Sequence, residues 1–242
     1  RLRFENNDLV KSLRQEKDKA LSASEAKSTF LAAASHDLRQ PLHAMGFFIE
    51  ALKKQLVLPE HITLLSNIER TSDNLREQLN DILDISRIAA GIRRPHRVPL
   101  SLENIFKSLK AEYTPLALKK NIDIRFSTAS WVIESDAHII DRILSNLVSN
   151  AIRYTNKEGK ILVGCRKKGN SLRIEVHDTG IGIPSHLITH SFAEYYQINN
   201  PERNRQKGLG LGLSIVKGMC ELLAHRIEVR STLQKGTSFM IM

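Results

Sequence analysis

The sequence predicts an α+β protein, in which a long helical hairpin forms a dimeric four-helix bundle and an α/β sandwich follows it. Three observations carry that expectation. Between residues 2 and 56 the only internal helix breaker is Pro41, and apolar residues return at steps of four and three. A short segment, 91–99, then gathers Gly91, Pro95, Pro99 and the basic residues Arg93, Arg94, His96 and Arg97, a composition that ends helices. Beyond it, strand-like and helix-like stretches mix without regular βαβ alternation, which favours a sandwich over a doubly wound sheet.

Leu2, Leu9, Leu13, Ala20 and Ala23 fall near a seven-residue repeat with charges between them, predicting a coiled-coil lead-in over 1–29. Residues 30–91 read as the hairpin. Its first helix carries the stripe Leu31, Ser35, Leu38, Leu42, Met45, Ile49, Leu52 and Leu56. After a turn at 57–60, the second repeats it with Ile68, Ser72, Leu75, Leu79, Ile82, Ser86 and Ala89. One partner helix cannot cover either stripe, so a homodimer is expected. Residues 92–99 read as a linker and 100–242 as the second domain. There the pattern predicts helices near 101–120, 137–154 and 212–224, with strands at 122–126, 131–134, 161–167, 172–178, 227–231 and 237–241.

Composition narrows the class. Of 242 residues, 41% are apolar and 5% aromatic, with 12 glycines and 7 prolines, which excludes collagen-like and low-complexity chains. No apolar run is long enough to span a bilayer, so no direct membrane contact is expected of this segment. The chain opens at Arg1 without a signal peptide and reads as a piece of something longer. Cys165 and Cys220 cannot build a disulfide framework, and a reducing, cytoplasmic location is expected. The formal charge of +10 suggests a polyanion. Residues 1–97 hold 16 Lys/Arg against 13 Asp/Glu and residues 98–242 hold 20 against 13, yet no basic helix interleaved with aromatics appears. A nucleotide or an acidic protein is therefore expected, and no nucleic acid.

Two glycine runs and one helix carry the chemistry. Asp178-Thr-Gly180-Ile-Gly182-Ile-Pro184 follows a strand, and Gly208-Leu-Gly210-Leu-Gly212 opens a helix. Each run alone fits either a tight turn or a phosphate cradle, in which backbone N–H groups and a helix N-terminus approach the anion. Neither is a P-loop, and no βαβ unit frames a dinucleotide fingerprint. Asn146, Asn150, Arg153 and Tyr154 share one helix face. Alone they fit either a solvated surface or a nucleotide site, where an amide oxygen suits Mg²⁺ and a guanidinium suits phosphate.

Taken in order, Asn-x3-Asn-x2-Arg-Tyr, Asp-x-Gly-x-Gly and Gly-x-Gly-x-Gly resemble the ATP-binding domain of the GHKL (Bergerat) superfamily. Upstream, Phe30-Leu-Ala-Ala-Ala-Ser-His36-Asp37-Leu-Arg-Gln40-Pro41 is similar to the H box of sensor histidine kinases, and the resemblance extends to Gly236-Thr237-Ser-Phe239. Tyr196-Gln-Ile-Asn-Asn-Pro-Glu-Arg203 is similar to the corresponding run of hybrid kinases. The resemblance implies a phosphoacceptor at His36, with Asp37 as its polarising neighbour and Gln40 one turn away as a candidate for regulator dephosphorylation. It implies a metal ligand at Asn150, with Asn146 near metal and phosphates and Arg153 and Tyr154 lining the site. Asp178 would accept from the adenine amino group, Gly180 and Gly182 would wall the base, and Thr237 would complete the pocket. Gly208, Gly210 and Gly212 would face the phosphates, residues 193–207 would form the lid, and Arg153, Arg203, Arg205 and Lys207 would neutralise phosphate charge. The implied cofactors are ATP and Mg²⁺, and the implied partners a second copy of the chain and a response-regulator receiver domain. Ser191 and Ala193 stand where the family commonly has an aliphatic and an acidic residue, and Gln40 where it commonly has Thr or Asn.

The residues support His36 independently. With Ser35, Leu42, Ile49 and Leu56 at a positions, His36 lies at b, off the buried seam, where a neutral imidazole can meet a nucleotide. His43 occupies the next b position without an acidic neighbour and reads as surface. His186 and His190 have helical metal-pair spacing but no third ligand nearby. Two other functions remain open to the motifs: a dimerising signalling scaffold of impaired activity, and a GHKL ATPase without phosphotransfer.

Overall fold

The computed structural model describes residue 15 and residues 40–54, 58–89, 95–127, 130–169, 171–197 and 210–242. The chain divides into two compact units, Arg1–Arg93 and Arg94–Met242. The expected lead-in over 1–29 lies outside the described residues except for Gln15, as do the stripe residues Leu31, Ser35, Leu38 and Leu56.

In the first unit, helix α1 (40–53) and helix α2 (Pro59–Ala89) form the hairpin. Leu42 and Ile49 of α1 are buried, as are Leu65, Ser72, Leu83 and Ser86 of α2. Lys53 Nζ bridges to Glu69 Oε1 at 2.5 Å and ties the two helices together. The expected stripe splits here. Met45, Leu52, Ile68 and Leu75 are exposed, because a single partner helix covers a seam narrower than a four–three stripe. Phe47 and Phe48, outside the expected stripe, are exposed at 76% and 68%.

The second unit is a sandwich. Strands β1 (Val98–Ser101) and β3 (Val132–Ser135) pair antiparallel, with Val98 opposite Ser135. Residues 98 and 99, read from sequence as the end of the linker, thus belong to a strand. Pro99 is tolerated because a two-stranded sheet has only edges, where a missing N–H costs little. Strands β2 (Asp123–Phe126), β4 (Lys160–Lys168), β5 (Ser171–Asp178), β6 (Ile227–Thr232) and β7 (Gly236–Ile241) form a sheet in the order β2-β4-β5-β7-β6. Among the described strands, the β2–β4 pair alone is parallel.

Helices α3 (Leu102–Lys119), α4 (Ala137–Tyr154) and α5 (Gly212–Leu222) accompany the sheet. Helix α4 buries Ile139, Ile140, Ile143, Leu144, Leu147, Val148 and Ala151, a three–four spacing that turns one face to the core. Ile161 and Val163 of β4 and Ile174 and Val176 of β5 are buried at alternate positions, whereas β7 buries Phe239, Met240 and Ile241 in succession. Asp136 starts α4 by accepting from the Ile139 N–H at 3.1 Å, and its other oxygen accepts from the His96 N–H at 2.8 Å. With the apolar face of α4 held inward, Asn150, Arg153 and Tyr154 are left at its C-terminal end for other work.

Candidate functional site

A cavity of about 430 Å³ opens where the C-terminal half of α4 meets the loop after β5, the start of α5 and strand β7. Asn150, Arg153, Tyr154, Asp178, Gly182, Ser191, Tyr196 and Thr237 line it together with apolar Ile181, Ile183, Leu213 and Phe239. Apolar walls with a few convergent polar groups suit a flat heteroaromatic ligand carrying a polar tail.

Asp178 is the polar anchor. It ends β5 and is only 5% exposed, and its Oδ1 accepts from the Gly180 N–H at 2.8 Å and the Thr237 N–H at 3.3 Å. Burial pushes its carboxyl above the ordinary range, opposed by those two backbone donors and by neighbouring His177. Both of those bonds fall on Oδ1, so Oδ2 is able to accept from a ligand. The glycines exist because other backbone comes close. A β-carbon on Gly180 would lie 2.5 Å from the Tyr154 carbonyl oxygen, and one on Gly182, at φ +68°, would strike the Thr232 carbonyl. Ser231 Oγ, which no sequence motif marks, accepts from the Ile183 N–H at 2.7 Å, donates to the Gly236 carbonyl at 3.0 Å and meets Thr237 Oγ1 at 2.9 Å. It pins the glycine loop to the β6–β7 hairpin.

At the far end, α5 begins at Gly212 after Leu211, which has no side-chain oxygen to cap the first N–H groups. Those donors remain for an anion. A β-carbon on Gly212 would lie 3.0 Å from Asn146 Oδ1 and 3.7 Å from Asn150 Nδ2, so the glycine keeps open the space between the two asparagines and the helix start. Asn146 Nδ2 donates to the Arg142 carbonyl at 2.9 Å, and the residue is absent from the cavity lining. Asn146 and Asn150 each carry one amide oxygen of the kind a hard cation takes, and the bare Gly212 leaves room beside them for the phosphates such an ion would accompany.

Of the residues singled out from sequence, Asn150, Arg153, Tyr154, Asp178, Gly182 and Thr237 line one cavity, with Gly180 packed behind it. Gly210 closes against the Tyr196 carbonyl oxygen, where its β-carbon would lie at 2.9 Å. His36, Asp37, Arg203, Arg205, Lys207 and Gly208 lie outside the described residues, as do lid residues 198–207. Gln40 is exposed on α1, and His43 is exposed one turn on. His186 and His190 stand on two separate 3₁₀ turns, Ser185–Leu187 and His190–Phe192, so the helical spacing that would align them is not realised. His190 packs beside Tyr196 instead, ring centroids 6.0 Å apart. Ser191 is buried and satisfies its own hydroxyl by donating to the Ile188 carbonyl at 2.7 Å. Ile181, Ile183, Leu213 and Gln197 also line the cavity, although the sequence assigns none of them an individual role. The two isoleucines alternate with the loop glycines, a signal that bulk is wanted beside each bare backbone.

This fold and site define an ATP-binding α/β sandwich. Residues 135–242 match the family of histidine kinase-, DNA gyrase B- and HSP90-like ATPases, and residues 26–91 match the His Kinase A (phospho-acceptor) domain family. The chain belongs to the sensor histidine kinases. It is 34% identical over 230 residues to the sensor protein GacS of Pseudomonas syringae pv. syringae, across 92% of this chain and 25% of GacS. The crystal structure of full-length ShkA in complex with AMPPNP has the same fold, with a TM-score of 0.71 over 87% of this chain and 44% of that one at 24% identity. The nucleotide-free catalytic domain of histidine kinase ThkA aligns with a TM-score of 0.53 over 60% of this chain and 93% of that one, at 26% identity. The chain thus spans a quarter of the length of GacS. Among the described residues no helix is long and apolar enough to cross a membrane.

Proposed function

We propose that the chain is the catalytic core of a two-component sensor kinase, which phosphorylates His36 from Mg²⁺-ATP and passes the phosphoryl group to an aspartate of a response-regulator receiver domain. The observation that carries this reading is the cavity with buried Asp178 at one end and the uncapped start of α5 beside Asn150 at the other, in a chain whose phospho-acceptor segment contains His36. A ligand with a base at Asp178 and phosphates at α5 spans that cavity.

In this reading a ring nitrogen of His36 attacks the γ-phosphorus. An N–P bond forms, the bond to the β,γ-bridging oxygen breaks, and ADP leaves. Asp37 holds the proton of the other ring nitrogen and fixes the tautomer. Asn150 holds the metal, with Asn146 beside it, and the bound ion neutralises phosphate charge. Arg153 serves the phosphates from the cavity wall, joined by Arg203, Arg205 and Lys207.

The exposed apolar residues of the hairpin, Phe47, Phe48, Ile62, Ile68 and Leu75, support assembly as a homodimer, because a helical pair with so much apolar surface in water is stabilised by a second copy. The parent protein is read as a hybrid kinase whose cytoplasmic portion includes this segment.

Incubation with γ-labelled ATP tests the reading. Labelled protein that is labile in acid, persists in alkali and is abolished by His36→Gln is the expected result. Release of free phosphate alone would indicate an ATPase, and neither product a scaffold.

A further inference from the structure

We propose that Lys120 is a positioning residue for the nucleotide: its ammonium group closes the C-terminal turn of α4 and so aims Arg153 and Tyr154 into the cavity. The proposal rests on the nucleotide reading above. It assigns work to a residue that lines no part of the cavity.

The argument is an accounting of backbone acceptors. A helix leaves its last carbonyls without partners from within the helix, and each must be met from elsewhere. In α4 the four carbonyls of 151–154 are all met. The Ala151 oxygen accepts from the Thr155 N–H at 3.0 Å. Lys120 Nζ donates to the oxygens of Ile152 and Arg153, both at 2.7 Å. The Tyr154 oxygen accepts from the Ile181 N–H at 3.2 Å. Two of the four are thus met by one side chain, from the residue that ends α3. The last depends on the loop that follows Asp178. A cation here also meets the negative end of the helix dipole.

Lys120 is itself held firmly. Its own backbone N–H caps α3 by donating to the Ala117 carbonyl at 3.0 Å. The Asn121 carbonyl next to it accepts from the Glu158 N–H at 2.7 Å, and the Asp123 N–H donates to the Gly159 carbonyl at 3.0 Å. One residue thus ends α3 with its backbone and α4 with its side chain. Burial lowers the pKa of its ammonium from the ordinary 10.5, consistent with a group drawn into the protein rather than left in water.

The consequence is local. Arg153 and Tyr154 line the cavity from this turn, and Ile181 and Gly180 contact the Tyr154 carbonyl from the other side. With Lys120 removed, both carbonyls lose its charged donor. The turn then loosens where the guanidinium and the ring are aimed.

The test is a double-mutant cycle read by calorimetric titration with AMPPNP. Lys120→Met keeps the aliphatic stem and removes the donors, and it should weaken AMPPNP binding about tenfold, as expected for hydrogen bonds from a charged donor. Lys120→Arg restores the donors and should bind within about threefold of the parent. In an Arg153→Ala, Tyr154→Ala background the Lys120→Met effect should shrink to less than about threefold, because the groups it positions are gone. In autophosphorylation the loss should appear in KM for ATP, with kcat retained. Parental affinity in Lys120→Met, or an equal loss in both backgrounds, would overturn the proposal. If Lys120→Met does not fold, Lys120→Gln goes through the same cycle under the same rule. Failure of the parent chain to bind AMPPNP would overturn the nucleotide reading and this proposal together, whereas parental binding with an unresponsive Lys120→Met sinks this proposal alone.

Discussion

Replacing Asp178 separates its structural role from its ligand role. Its Oδ1 accepts from the N–H groups of Gly180 and Thr237, both buried, and its Oδ2 is the acceptor proposed for the adenine amino group. Asp178→Ala orphans two buried donors, each costing about 1–3 kcal/mol, and also removes the ligand's acceptor. Both stability and nucleotide affinity should fall. Asp178→Asn is the sharper perturbation. Its amide oxygen can still accept from Gly180 and Thr237, so the melting midpoint should stay close to the parent's. Its amide nitrogen then faces the adenine amino group, donor against donor. A charge-assisted hydrogen bond is worth roughly 1.5–3 kcal/mol, so affinity should fall about 10–150-fold while the fold survives. Titration calorimetry with AMPPNP and a thermal melt monitored by circular dichroism read the two effects separately. Parental affinity in Asp178→Asn would refute the adenine contact. The pH dependence has a sign of its own. Because burial raises this carboxyl above its ordinary 3.8, the residue's contribution to stability is fully present below that value and is lost as pH rises through the raised value. Binding, which wants the carboxylate, runs the other way and should fall as pH drops through the same window.

Asn150→Ala should damage phosphoryl transfer far more than nucleotide affinity, and equal affinity losses for Asn150→Ala and Asp178→Ala in calorimetry would contradict the division of labour between the two ends of the cavity. Gln40→Ala should leave autophosphorylation near normal and slow loss of phosphate from the cognate regulator. An unchanged regulator lifetime with ADP supplied would reduce Gln40 to a helix-surface residue. Phe48→Glu should lower the dimer fraction in sedimentation equilibrium without unfolding the hairpin, since Phe48 is 68% exposed and outside the seam of Leu42 and Ile49. Half-buried His225 is held below its ordinary 6.5 by burial and by the Arg97 charge. Its contribution to stability is therefore present above pH 6.5 and lost as pH falls through the lowered value, so the parent's melting midpoint should drop across that window more than that of His225→Gln.

Periodicity and glycine chemistry account for the part of this protein that its amino acids specify locally. The apolar spacing of α4 identifies its buried face from the residues alone, and the expected helix over 137–154 coincides with Ala137–Tyr154. Asp178 and the alternating glycines after it are legible because a bare backbone there signals close approach, and the fold supplies the Tyr154 and Thr232 carbonyls that demand it. Local patterns of this kind encode what a residue needs, a face to bury or a β-carbon to avoid. They do not encode which distant segment meets that need. So β1 is hidden in a linker-like run, because its strand character depends on pairing with β3. The hairpin seam is narrower than its stripe, because burial depends on how many helices are present to cover it. Ser231 and Lys120 carry no motif, since a serine on a strand and a lysine after a helix are ordinary in sequence. Their roles exist only because the tertiary structure brings the Ile183 N–H to one and the Ile152 and Arg153 carbonyls to the other. Buried backbone donors and acceptors must all be satisfied, and across the chain only the fold decides by whom.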